Sequence, residues 1–220
     1  MKSDKLVKKI FSVDNRFVRF CERVLDLLTL NILFVLTCLP IITVGIAKMS
    51  LYQVLLRMKE EQHIAVFPAY LSAVKENSKR GFFLGLGEVA IVLFCLLDMR
   101  ILGQVENNVS LGMRLVCTAI LFLTVMTSFY LYPLALREPS TNLQLVKKAF
   151  FLTCLNFPWS FLMIGILGVL FILLYSSLLA FLLGMSLLFL IGFSAMGYVY
   201  VSFMERLLEK YLYLSIRLEK

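Results

Sequence analysis

Charge is what this sequence has least of. Asp, Glu, Lys and Arg make up 16% of its 220 residues, against about 25% in an ordinary soluble domain. From Ala149 to Met204, 56 consecutive residues carry no charged side chain. No globular core needs such a run, and roughly 20 apolar residues already span a bilayer. A soluble globular fold is therefore excluded. Histidine is reduced to His63, and the five cysteines (Cys21, Cys38, Cys95, Cys117 and Cys154) stand singly, without a Cys-x-x-Cys. A zinc or iron–sulfur site lacks its ligands, so neither a metal nor another cofactor is expected. No nucleophile–base pair, His/Asp cluster or glycine-rich phosphate loop is visible. Catalytic residues are accordingly expected to be absent, and the chain is not read as an enzyme.

What is present is apolar: 60% hydrophobic residues and a mean hydropathy of +0.89. The net charge of +8 could suggest nucleic acid, but the hydropathy points to a lipid bilayer as the partner instead. Four spans are plain: Phe82 to Leu102, Arg114 to Leu136, Pro158 to about Leu178, and Leu187 to Met204. The last two are expected to be joined by a turn near Leu183-Gly184-Met185-Ser186. Each covers the ~30 Å hydrocarbon layer at 1.5 Å per residue. The basic N-terminus ahead of an apolar run has the outline of a signal peptide, but no small-residue cleavage site follows it, so the segment is expected to be retained.

The N-terminal third admits two readings. Leu27 to Ala47 is long enough for one span; alternatively, residues 24–58 form a helical hairpin turning at Pro40, where the missing backbone N–H ends a helix. Charge sorting favours the hairpin. With six spans, nineteen of the 22 basic residues share one face, leaving Lys48, Arg100 and Arg114 on the other half. That asymmetry orients helices with the basic face in the cytoplasm. The expected fold is all-α, a polytopic bundle of six transmembrane helices with both termini cytoplasmic. In order, it has a basic amphipathic tail (1–23), the hairpin (24–58), a cytoplasmic helix (59–81), four transmembrane helices (82–204) and a cytoplasmic tail (205–220). Phe67, Tyr70, Leu71 and Val74 give the cytoplasmic helix an apolar face suited to lying in the interface. Leu143, Val146 and Phe150 repeat this more weakly.

An internal repeat is compatible with the hairpin. Leu51-Tyr52 through Arg57 resembles Leu131-Tyr132 through Arg137 at an offset of 80, and Asn77 and Phe82 match Asn156 and Phe161 at an offset of 79. Both copies run in the same direction, as in a parallel repeat.

Polar side chains inside a bilayer are functional candidates because they are costly there. These are Asn31, Lys48, Glu88 and Asp98. Asn31 reads as interhelical hydrogen-bonding glue. Counted along six spans, Lys48 and Asp98 fall within roughly 10 Å of the same interface and can pair, whereas Glu88 lies ~12 Å from Lys48 in depth. Glu88 could bind a proton or a cation. Gly81-x-x-x-Gly85 permits close helix contact, although the chain has 11 glycines and the signal is weak.

The N-terminal hairpin also carries a family resemblance. Asp14-Asn15, Phe17, Arg19-Phe20, Asp26-Leu27, Leu30-Asn31 and Cys38-Leu39-Pro40-Ile41-Ile42-Thr43-Val44-Gly45 resemble the YesL family. So do Leu51-Tyr52, Leu56-Arg57-Met58, Phe67 and Asn77. These are small integral membrane proteins of Gram-positive bacteria, classed as a domain of unknown function. Pro40 and Gly45 are the structural turn of that motif. Two positions depart from the pattern: Arg16 stands where proline is usual, and Lys48 where a small apolar residue is. The resemblance implies location in the bacterial cell membrane and a link to carbohydrate uptake, with transporter or sensor components as partners. It implies no defined activity and carries over no functional residues. A small transporter or channel using Glu88 or a Lys48/Asp98 cluster is the competing expectation, and homo-oligomers are compatible with it.

Overall fold

The computed structural model describes residues 16–61, 63–104 and 107–218. The basic tail expected over 1–23 lies largely outside them, as do the last residues of the C-terminal tail. The described residues form eight α-helices and no strand: α1 (Arg16–Cys38), α2 (Val44–Glu60), α3 (Val66–Leu102), α4 (Asn108–Arg137), α5 (Asn142–Leu155), α6 (Phe157–Tyr175), α7 (Leu178–Leu187) and α8 (Phe193–Leu218). A 3₁₀ turn (Ile41–Thr43) joins α1 to α2, and a π-helical turn (Leu188–Gly192) joins α7 to α8.

Five stretches are long and apolar enough to cross a membrane: Ile41–Glu60, Val66–Leu102, Asn108–Arg137, Phe157–Tyr175 and Leu178–Leu208. The chain is thus an all-helical membrane protein. The first of the six expected spans, 24–39, is helical but lies in α1, which carries Glu22, Arg23 and Asp26. Only residues 27–38 of that helix are charge-free, about 18 Å of rise.

Pro40 turns the chain as expected. It starts the 3₁₀ turn in an extended conformation, and Thr43 closes the corner by donating its hydroxyl to the Pro40 carbonyl at 2.8 Å. α2 then runs back along α3, and the two touch backbone to backbone. A Cβ on Gly45 would lie 2.5 Å from the Gly85 Cα, and one on Gly85 would lie 2.7 Å from the Gly45 Cα. One on Gly81 would meet the Ile46 Cα at 2.8 Å. Three glycines thus bring the helix axes closer than any side chain allows. The contact fixes the register, and Asn77 of α3 donates to the Gln53 side chain of α2 at 2.5 Å.

The separate cytoplasmic helix expected over 59–81 is instead the first half of α3, which runs unbroken to Leu102. Gly81 does not interrupt it, because the α2 crossing is packed there, and Pro68 sits in the first turn, where no helical N–H is lost. One face of this half packs into the bundle. Val66, Tyr70, Ala73, Asn77, Gly81 and Leu84 are buried, and Tyr70 bonds Thr37 of α1 at 2.5 Å, while Phe67 and Leu71 stay exposed. In α5 the expected apolar set, Leu143, Val146 and Phe150, is the exposed face. The two halves compared as a repeat differ in shape. α3 continues through Asn77, but the second copy breaks at Asn156, where Pro158 would remove a helical hydrogen bond.

The last hairpin turns at Ser176-Ser177 rather than at 183–186. Ser177 is extended ahead of α7, and Ser176 donates to the Leu173 carbonyl at 2.7 Å. Gly184 stays helical and packs against the Leu174 side chain.

Replacing Gly85 by alanine is expected to destabilise the fold by about 1–3 kcal/mol through overpacking. Gly87 has open space around it, so its alanine variant should be neutral or up to ~1 kcal/mol more stable. Unfolding of the two variants in mild detergent, followed by circular dichroism, measures the opposite signs.

Candidate functional site

Lys48 follows Gly45 by three residues in α2, and Glu88 follows Gly85 by three in α3. Because the helices are antiparallel, the two side chains reach toward each other across the crossing. The Lys48 ammonium donates to Glu88 Oε1 at 2.7 Å. From α4, the Tyr132 hydroxyl donates to Glu88 Oε2, and the Lys48 Nζ lies 5.1 Å from the centre of the Tyr132 ring. Both carboxylate oxygens are engaged, and the Glu88 side chain is only 14% exposed. The cluster carries no net charge, which is how a bilayer tolerates ions at all.

This corrects the expected Lys48–Asp98 pair. The depth count started a fresh span at Phe82 and let the hairpin tip reach the far surface. The structure instead anchors the tip at Gly81 and Gly85, 17 residues before the end of α3, about 26 Å of rise. Asp98 lies ten residues past Glu88, about 15 Å along the helix, and accepts the Cys117 thiol of α4 at 3.7 Å. Tyr132, which completes the Lys48–Glu88 site, was not singled out by sequence. Its signal was present: it occupies the repeat position of Tyr52, five residues before Arg137 at the basic end of α4.

The cluster lines a cleft of about 730 Å³ between α2, α4, α6 and α8. Most of the remaining wall is apolar, with Leu51, Val125, Met163, Leu170 and Met196 among it. α6 and α8 also meet through the Trp159 and Phe203 rings, 4.7 Å apart.

Asn31 lies apart from the cleft and is fully buried. It fills the π-helical turn, donating to the Leu188 and Phe189 carbonyls at 3.1 and 2.7 Å and accepting the Ser194 N–H at 2.9 Å. A π-turn displaces the usual helical hydrogen bonds, and the Asn31 amide occupies the gap. Pro133 creates a second gap in α4. It has no N–H for the Phe129 carbonyl, and the Tyr200 hydroxyl of α8 donates there instead.

The basic residues that sorted the topology also hold the near end together. The Arg80 guanidinium caps α4, donating to the Ala135, Glu138 and Ser140 carbonyls at 2.6, 2.8 and 2.6 Å. Those carbonyls lie where a helix runs out of its own donors. Arg137 and Lys59 both pair with Glu205 of α8, at 2.7 and 3.7 Å. Among the described residues no group of His, Cys, Asp and Glu side chains is placed to hold a metal.

The family comparison falls on this region. Residues 27–99 match the family model of a protein of unknown function, DUF624. That third of the chain contains Asn31, Pro40, Gly45, Lys48, Glu88 and Asp98. No curated protein and no solved structure matches the chain. The DUF624 match therefore spans the glycine crossing and two members of the polar cluster, while Tyr132 lies beyond it.

Lys48→Met leaves Glu88 without its ion-pair partner. A loss on the order of 2–3 kcal/mol is expected, below the 3–5 kcal/mol of a fully buried pair, because the Lys48 side chain is 34% exposed. The double variant Lys48→Met/Glu88→Gln should recover most of it. A double-mutant cycle of unfolding free energies in detergent measures this coupling.

Proposed function

We propose that this chain is an accessory or scaffold component of the bacterial cell membrane, linked to carbohydrate uptake or sensing, with no catalysis of its own. The observation that carries the reading is the closed Lys48–Glu88–Tyr132 cluster. The charges nearest the bundle interior pair with one another, and the cleft they line is otherwise walled mostly by apolar side chains. A solute path across the bilayer needs polar groups along its length. The sugar link rests on the resemblance of the hairpin sequence. Both ends of the α1–α2 hairpin face the same way, so a cytoplasmic N-terminus does not depend on how deep the tip reaches. The basic residues around Arg80, Arg137 and Arg206 then lie on the cytoplasmic face, as the positive-inside rule requires.

A second reading, a small transporter or channel using Glu88, is favoured by the position of that carboxylate in the wall of a cleft. The Lys48/Asp98 version of it has lost its geometric basis, because Lys48 engages Glu88 instead.

A tagged full chain purified from native membranes should bring down subunits of a sugar transporter or a membrane sensor. Recovery of the chain alone after mild cross-linking counts against the accessory role. Proton or cation flux into liposomes that disappears in the Glu88→Gln variant would replace it with the transporter reading.

A further inference from the structure

We propose that the lateral cleft binds a neutral, hydroxyl-bearing acyl ester of the glycerol monoester class, its head on the Lys48–Glu88 pair and its chain between α6 and α8. The inference goes beyond the accessory role and does not depend on which protein partner is bound.

Size and access come first. A volume of about 730 Å³ falls in the range of clefts that enclose small ligands. Two cleft residues are also strongly exposed, Val199 of α8 at 70% and Ile166 of α6 at 51%. They mark a mouth on the side of the bundle, between helices apolar enough to span a bilayer. What surrounds such a mouth is hydrocarbon, so the ligand arrives from the lipid phase and must be largely apolar itself.

Hydrogen-bonding chemistry then selects the head. The Lys48 ammonium has three donors. Glu88 takes one, the Tyr132 ring lies beneath the group, and no other hydrogen-bond acceptor meets it among the described residues. Each Glu88 oxygen already accepts one hydrogen bond, from Lys48 and from Tyr132. The remaining Lys48 donors are what the pair offers a ligand, at no net charge. Ser128, also in the cleft wall, gives its own proton to the Val125 carbonyl at 3.0 Å, so it faces a ligand as an acceptor. A head that satisfies both must accept from Lys48, donate to Ser128 and be uncharged. An ester carbonyl beside a free hydroxyl does so. A fatty carboxylate brings a second negative charge next to Glu88 in a low-dielectric site, which is strongly disfavoured. A headless hydrocarbon leaves the Lys48 donors unmet.

The test uses the full chain in lipid nanodiscs and a glycerol monoester carrying a mid-chain diazirine, with photolabelled sites mapped by mass spectrometry. Labelling is expected on residues 163–170 and 195–201. Unlabelled monooleoylglycerol should displace it at least tenfold more effectively than oleate or octadecane. The exposed far half of α3, around Ile91 and Phe94, reports ordinary lipid contact and should be labelled weakly, without displacement. In Lys48→Met/Glu88→Gln the tenfold preference should vanish while labelling of α3 is unchanged. Ile166→Phe, which narrows the mouth and leaves the ion pair intact, should reduce cleft labelling several-fold. Even labelling of all exposed helices, displacement by oleate as readily as by the monoester, or an unchanged preference in the double variant overturns the proposal.

Discussion

The contact of Gly45 with Gly81 and Gly85 is the constraint from which the rest of the structure follows. Between membrane helices there is little hydrophobic driving force, because lipid tails are as apolar as the side chains they would leave. Close van der Waals approach takes its place, and only glycine permits it here. Once the backbones meet at that point, every other pairing along α2 and α3 is set. Lys48 arrives at Glu88, and Gln53 arrives at Asn77. Sliding one helix by a turn, about 5.4 Å, would put a Cβ against the opposite backbone and separate the ion pair. Packing and electrostatics thus select the same register.

A second regularity concerns backbone defects. Inside a bilayer no water replaces a lost helical hydrogen bond, so each gap needs a partner from the protein. Three gaps are filled by side chains from other helices. Asn31 fills the π-turn before α8, Tyr200 serves the Phe129 carbonyl freed by Pro133, and Arg80 caps α4. Each of these three side chains meets a particular unsatisfied backbone group. The Lys48–Glu88 pair, like Gln53–Asn77, repairs no backbone defect.

Much of this was legible in the sequence. Hydropathy located the long apolar helices, Pro40 marked the corner, and Asn31 was read as hydrogen-bonding between helices. The partner of Lys48 was not legible, because depth was counted along helices whose ends had been inferred. Gly81 looked like a boundary between an interfacial helix and a span; it is the middle of one helix, held there by a glycine on α2 that sequence spacing cannot reveal. Likewise Gly184 looked like a turn, yet it packs against Leu174 while Ser177 precedes the next helix. Glycine marks either a bend or a close approach, and only the neighbour tells which.

The location of the ion pair bears on function more than its presence does. Tyr132 lies five residues from Arg137, at the basic end of α4, about 7.5 Å of rise. Glu88 is eight residues beyond Arg80, about 12 Å, and 14 residues short of the far end of α3. In α3 and α4 the polar cluster lies nearer the basic end, while in α2 Leu51, Tyr52 and Leu55 continue the cleft wall between Lys48 and that end. A conduction path would place its ionisable groups where they bridge the two faces. A neutral polar pair within an otherwise mostly apolar cleft offers one polar anchor and an apolar surround. It matches an amphiphile rather than an ion.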